Sequence, residues 1–188
     1  MTLVNKKLVN KTLDTFRLRR KSVFRYPIDP APRTAVLAAC FRQPRLRPNY
    51  PVRVFPQGWS EEVSAFSPAA VAAPREQLFG LAAAARPPVF THAVIAFESP
   101  GDPMLSVAER QRLWRAFRVP VFEQIIGPDG ELLAAECEAH DGLHIESPGF
   151  AWHGYQLEMA PCACGRKTPR LTPAESVERV RSAAVYAR

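Results

Sequence analysis

The stretch CEAHDGLHIESPGFAWHGYQLEMAPCACGR, residues 137–166, restricts the fold more than any other part of this chain. Its 30 residues hold three of the four cysteines and three of the four histidines. Those are the residue types that bind transition metals, and zinc takes four of them in a tetrahedron. A fold that uses them must bring one end of the stretch back onto the other. The first pair is Cys137 with His144 or His140, flanking an Asp141-Gly142 turn. The second is Cys162 with Cys164, between Pro161 and Gly165, where glycine permits the positive φ of a tight turn. Cys137, His144, Cys162 and Cys164 then form a Cys3His set with no open position, which is the structural rather than the catalytic form of a zinc site. His140 is the substitute ligand. Free thiols with ordinary polar histidines, and a redox Cys162–Cys164 pair, are the competing readings, although a C-x-C disulfide ring is small and strained. His153 reads as a loop residue and His92 as a core histidine.

At 188 residues the chain is long enough for one domain, or one domain with an arm, and 47% hydrophobic content is that of a globular protein. No apolar run approaches the ~20 residues that cross a bilayer. The N-terminus MTLVNKKLVNKTLDTFRLRRK lacks the apolar core of a secretory signal, so a soluble, cytoplasmic protein is expected. In a reducing compartment, cysteines clustered with histidines point to metal rather than to disulfides. Charge is unevenly placed. Residues 1–53 carry 13 of the 25 Lys/Arg and two acids, net +11, whereas residues 54–188 are net −4. The basicity belongs to an N-terminal arm, and Lys6, Lys7, Lys11, Arg17, Arg19, Arg20, Lys21 and Arg25 are its candidate partner-binding residues.

The expected organisation is an arm over 1–56, an α/β domain over 57–172 and a C-terminal helix over 173–188. The first 26 residues have the ragged apolar face of a basic helix. Seven prolines between residues 27 and 56 exclude a long helix there and imply an extended segment ordered on contact. TAVLAACF within it fits a strand or a helical turn. Ser67-Pro68 has the form of a helix start, so SPAAVAAPREQLFGLAAAA is expected to hold one or two helices broken at Pro74. PVFTHAVIAF reads as a buried strand. SVAERQRLWRAF reads as a helix opened by a Ser106/Glu109 capping box, with Val107, Arg110, Leu113, Trp114 and Phe117 near one stripe. VPVFEQII, the turn GPDG and ELLAAEC make a hairpin. Thr172 and Pro173 read as the cap and first position of the terminal helix. A β–α–β passage followed by a hairpin argues for an α/β sheet with flanking helices.

The order of these segments resembles the phenylacetate–CoA ligase-like branch of the adenylate-forming (acyl-activating) enzymes. The likeness rests on THAVIAFESP, on RQRLWRAF leading into FRVPVFEQ in place of an FG-x-PV strand, on ECEAHDGLHI, and on CACGRKTPR, over roughly residues 62–172. It implies a partial adenylate-forming-type sheet and a structural zinc on Cys137, His144, Cys162 and Cys164. The departures bear on function. Where the family has Tyr-Gly-x-Thr-Glu for nucleotide and magnesium, this chain has FEQIIGPDGELLAAEC, and Glu123 lies before the place where that motif begins. No Gly-rich run able to cradle phosphates is present in 1–188. The small domain with the family's catalytic lysine has no room after Arg170, and Lys167 does not take that role. Activating a carboxylate with ATP needs phosphate neutralisation and a positioned magnesium. The reading is therefore a truncated, non-catalytic, zinc-stapled binding or accessory protein that acts through a protein partner or as an oligomer. A subunit of a split acyl–CoA ligase, with an acyl or aryl ligand, is the alternative. Nucleic-acid binding through the basic arm, with Phe16, Phe24, Tyr26, Phe41 and Tyr50 as stacking residues, is the second.

Overall fold

A computed structural model describes residues 22–41, 51–147, 150 and 152–174 of the chain. Its frame is one nine-stranded mixed sheet. Five strands run parallel: β1 (Thr34–Val36), β2 (Val52–Val54), β3 (Ala70–Pro74), β4 (Ala93–Glu98) and β5 (Val121–Ile126). Four more, β6 (Leu132–Glu136), β7 (Leu143–Ile145), β8 (Tyr155–Glu158) and β9 (Arg170–Pro173), continue antiparallel from β5. The order is β2-β1-β3-β4-β5-β6-β7-β9-β8. Helices α1 (Glu61–Phe66), α2 (Arg75–Ala82) and α3 (Val107–Phe117) connect the parallel strands.

Side chains alternate across a sheet, and two apolar layers follow from that alternation. Ala35, Val71, Ala73, Val94, Ala96 and Val121 pack against Val63 of α1, Leu78 of α2 and Leu113 and Phe117 of α3. Their neighbours Val36, Ala70, Ala72, Ala93, Ile95 and Phe122 pack on the opposite face, beneath Phe24 and Phe41. There Phe24, Phe41 and Phe97 form an aromatic cluster with ring centroids 5.2–5.8 Å apart. Helices thus cover one face of the parallel half, and the segment around residues 22–41 covers the other.

The expected hairpin is present as β5 and β6, closed by Gly127 donating to the Glu131 carbonyl at 2.8 Å. The capping box is also present: the Ser106 hydroxyl accepts from Glu109 N–H at 3.3 Å, and the Glu109 carboxylate accepts from Ser106 N–H at 2.8 Å. On the expected stripe, Leu113 and Phe117 are buried, whereas Val107 and Trp114 are exposed.

Three expectations change. Ser67-Pro68 does not open a helix. Ser67 ends α1 in the left-handed conformation at φ 49, and Ala70–Pro74 is a strand. Ala70–Ala73 are fully buried between β1 and β4, and that burial overrides the helical preference of alanine. Thr172 and Pro173 do not start a helix either. They end β9, paired with Gln156 and Tyr155 of β8, while the rest of the expected C-terminal helix, residues 175–188, lies outside the described residues. Finally, the segment 27–56 is not separate from the domain, because β1 and β2 belong to the sheet and it crosses the boundary expected at residue 57. No helix among the described residues is long and apolar enough to cross a membrane.

Candidate metal centre

Strand register places the first two ligands. Glu136 of β6 faces Leu143 of β7, and Ala135 faces His144. Cys137 is two residues beyond Ala135, so Cys137 and His144 share one face on a diagonal. Gly142 closes the loop between them at φ +83. A Cβ there would lie 2.6 Å from the Leu171 carbonyl oxygen, so glycine lets β9 approach. The second pair sits on the turn before β9, in which Gly165 donates to the Cys162 carbonyl at 2.9 Å and takes φ +83.

Cys137, His144, Cys162 and Cys164 thereby offer four ligand atoms, all within 4.8 Å of one another. Cys137 Sγ lies 3.6 Å from Cys162 Sγ, far beyond a disulfide bond, and none of Cys137, Cys162 and Cys164 is in a disulfide. Cys164 Sγ lies 3.3 Å from His144 Nε2. Tetrahedral ligands about 2.3 Å from a zinc ion stand about 3.8 Å from one another, close to these separations. Thr168 Oγ1, 2.8 Å from His144 Nδ1, holds the ring so that Nε2 turns toward the sulfurs. Burial, with the Arg166 charge second, keeps His144 below the ordinary imidazole range, which favours the neutral, ligating form. Burial pushes the Cys137 thiol up to about 12, whereas the Cys164 backbone N–H lowers Cys162. Three thiols packed so closely cannot all ionise without a cation between them. The four residues are compatible with a metal site.

His140 is not in this group. It occupies the left-handed region at φ 51, stacks on Phe122 with ring centroids 4.7 Å apart, and places Nδ1 3.1 Å from Glu136 Oε1. The substitute-ligand reading is therefore corrected: the loop turns this ring away from the sulfurs. Glu136 has a second partner besides His140. Its other oxygen accepts from Arg110 at 3.0 Å, and Arg110 also reaches Glu123 at 2.8 Å. Arg75 pairs with Glu98 at 2.7 Å on the same face. Burial raises Glu98 and Glu123 to about 7. Arg110 and Glu136 line a cavity of about 710 Å³ beside Trp114 and His140, and the sequence offered no local signal for it.

Of the arm residues, Arg25 is exposed and bonds Glu146 at 3.1 Å, and Arg166 holds the other Glu146 oxygen at 2.9 Å. Lys6, Lys7, Lys11, Arg17, Arg19, Arg20 and Lys21 lie outside the described residues. Compared with known proteins, the chain matches no family model and no curated protein sequence.

Proposed function

We propose that this chain is a zinc-stapled binding or accessory protein, a relative of the acyl-activating enzymes that acts through a protein partner or a second copy rather than by turnover. The observation that carries the reading is the Cys137–His144–Cys162–Cys164 cluster, whose side chains would fill all four positions of a tetrahedral ion and leave none for substrate or activated water. Two soft, closely spaced thiol–thiol and thiol–imidazole contacts suit zinc in particular. The ion would tie the β6–β7 loop to the turn before β9, and so secure the antiparallel half of the sheet. The replacement of the family's Tyr-Gly-x-Thr-Glu by FEQIIGPDGELLAAEC supports the non-catalytic part of the reading.

The test has two arms. Purified chain mixed with ATP, magnesium and a panel of aryl and acyl acids should release no pyrophosphate; clear turnover would refute the accessory reading. Prolonged chelation should lower the melting temperature, since binding of a structural metal is folding free energy. A transition that chelation leaves unmoved would refute the staple.

A further inference from the structure

The sheet ends on β8, and that end is open. Strand β8 is outermost in the sheet and pairs only with β9. Among the described residues, no backbone bond joins Tyr155–Glu158 to anything other than β9. Such an edge carries a row of backbone donors and acceptors that a further strand can pair. Edges that must stay single are blunted by proline, lysine or a bulge. The opposite edge strand, β2, has three residues between Pro51 and Pro56. Strand β8 lacks these devices: YQLEMA, residues 155–160, holds no proline and no lysine, and its register with β9 is unbroken. Leu157 pairs with Leu171, so the odd-numbered side chains of β8 lie on the Leu171 face of the sheet. Leu157 is 55% exposed and Met159 68% exposed, so an apolar stripe runs from Tyr155 along the rim.

The side chains of β8 specify its occupant. Two copies joined antiparallel at this edge are related by a twofold axis normal to the sheet. Residues that face each other then stand on the same side, so the axis must pass beside a residue rather than between two. Three positions for it are open to so short a strand. An axis at Glu158 sets that carboxylate against its own copy, and like charges directly opposite are destabilising. An axis at Gln156 sets Met159 opposite His153 and gives it no apolar partner. An axis at Leu157 pairs Leu157 with Leu157, Tyr155 with Met159, and Gln156 with Glu158. The apolar stripe then continues across both copies, and each Glu158 carboxylate meets an amide that can donate to it. Tyr155 keeps its hydroxyl bond to the Asp102 carbonyl, and Glu158 keeps the Ala160 N–H at 2.7 Å, because both bonds are made within one copy.

We propose that β8 is a homodimer interface, at which two copies join their sheets edge to edge about an axis at Leu157. The inference rests on the reading of this chain as one that acts through a partner, and names that partner as a second copy. A contact of this size gives dissociation in the micromolar range. A twofold contact uses the same edge in both copies, so association stops at two.

Sedimentation equilibrium of the full chain across micromolar concentrations tests it. The wild type should pass from monomer to dimer and no further. Leu157→Lys, which sets two ammonium groups on the axis, should leave a monomer, whereas Val89→Lys, at a side chain 85% exposed and distant in the chain, should dimerise like the wild type. The register has its own test, which does not disturb the apolar stripe. Gln156→Lys should tighten the dimer and Gln156→Glu loosen it, each by about threefold to tenfold, because each change meets Glu158 twice per dimer. Three results would overturn the proposal: a wild type that stays monomeric, a dimer that Leu157→Lys leaves intact, or Gln156 variants that shift association equally. A monomeric chain that still holds its metal and releases no pyrophosphate would sink this interface alone and leave the accessory reading standing.

Discussion

At the scale of single residues, two kinds of side chain behave differently. The clustering of Cys137, His144, Cys162 and Cys164 was legible because cysteine and histidine are rare and crowd into one stretch. Choosing between His140 and His144 needed the strand register, which puts His144 opposite Ala135 and leaves His140 on the loop. The Arg110 network was not legible, because its carboxylates lie 13 and 26 residues away and meet it only through the sheet. Glu123 has consequences for pH. Burial raises it from 4.5 to about 7, so the folded state holds a proton that the unfolded state releases. Its contribution is complete at low pH and disappears as pH rises from about 4.5 through about 7. Thermal melts of wild type and Glu123→Gln across pH 4–8 should show the wild type losing stability relative to the variant over that window. A constant difference between the two would show that Glu123 titrates normally.

At the scale of elements, glycine and alanine mark where local reading holds and where it does not. The Gly127–Gly130 turn was legible from its composition, and its structure explains why: Gly130 has φ +80, and a Cβ there would lie 2.7 Å from the Cys40 carbonyl oxygen. Gly130→Ala combines left-handed strain with a backbone clash. It should cost about 1–3 kcal/mol in chemical denaturation, and a loss under about 0.5 kcal/mol would mean that the loop around Cys40 yields freely. Strand β3 was misread for the opposite reason. AVAA has no period to betray a strand, and only its place between β1 and β4 makes it one. The capping box at Ser106 is local chemistry, complete within four residues, and local chemistry is what a sequence carries best.

At the scale of the whole molecule, an α/β class with a hairpin was legible, but the strand order was not. Nothing local in TAVLAACF or in PVRVF shows that these short runs extend the sheet beyond β3. They do so because the second face of the sheet must be covered, and Phe24 and Phe41 cover it from the proline-rich segment. On this account the parallel half is held by its two apolar layers, and the antiparallel half by the small cluster of Ile125, Leu133, Leu143 and Leu171 together with the proposed zinc. The most direct test of that claim is metal content, measured by elemental mass spectrometry on chain purified without chelator or added metal. The account predicts about one zinc per chain, lost in both Cys162→Ser and His144→Ala and retained in His140→Ala. Metal-free wild-type protein that folds with an unchanged melting temperature would contradict it, and so would a loss of zinc in His140→Ala equal to that in His144→Ala.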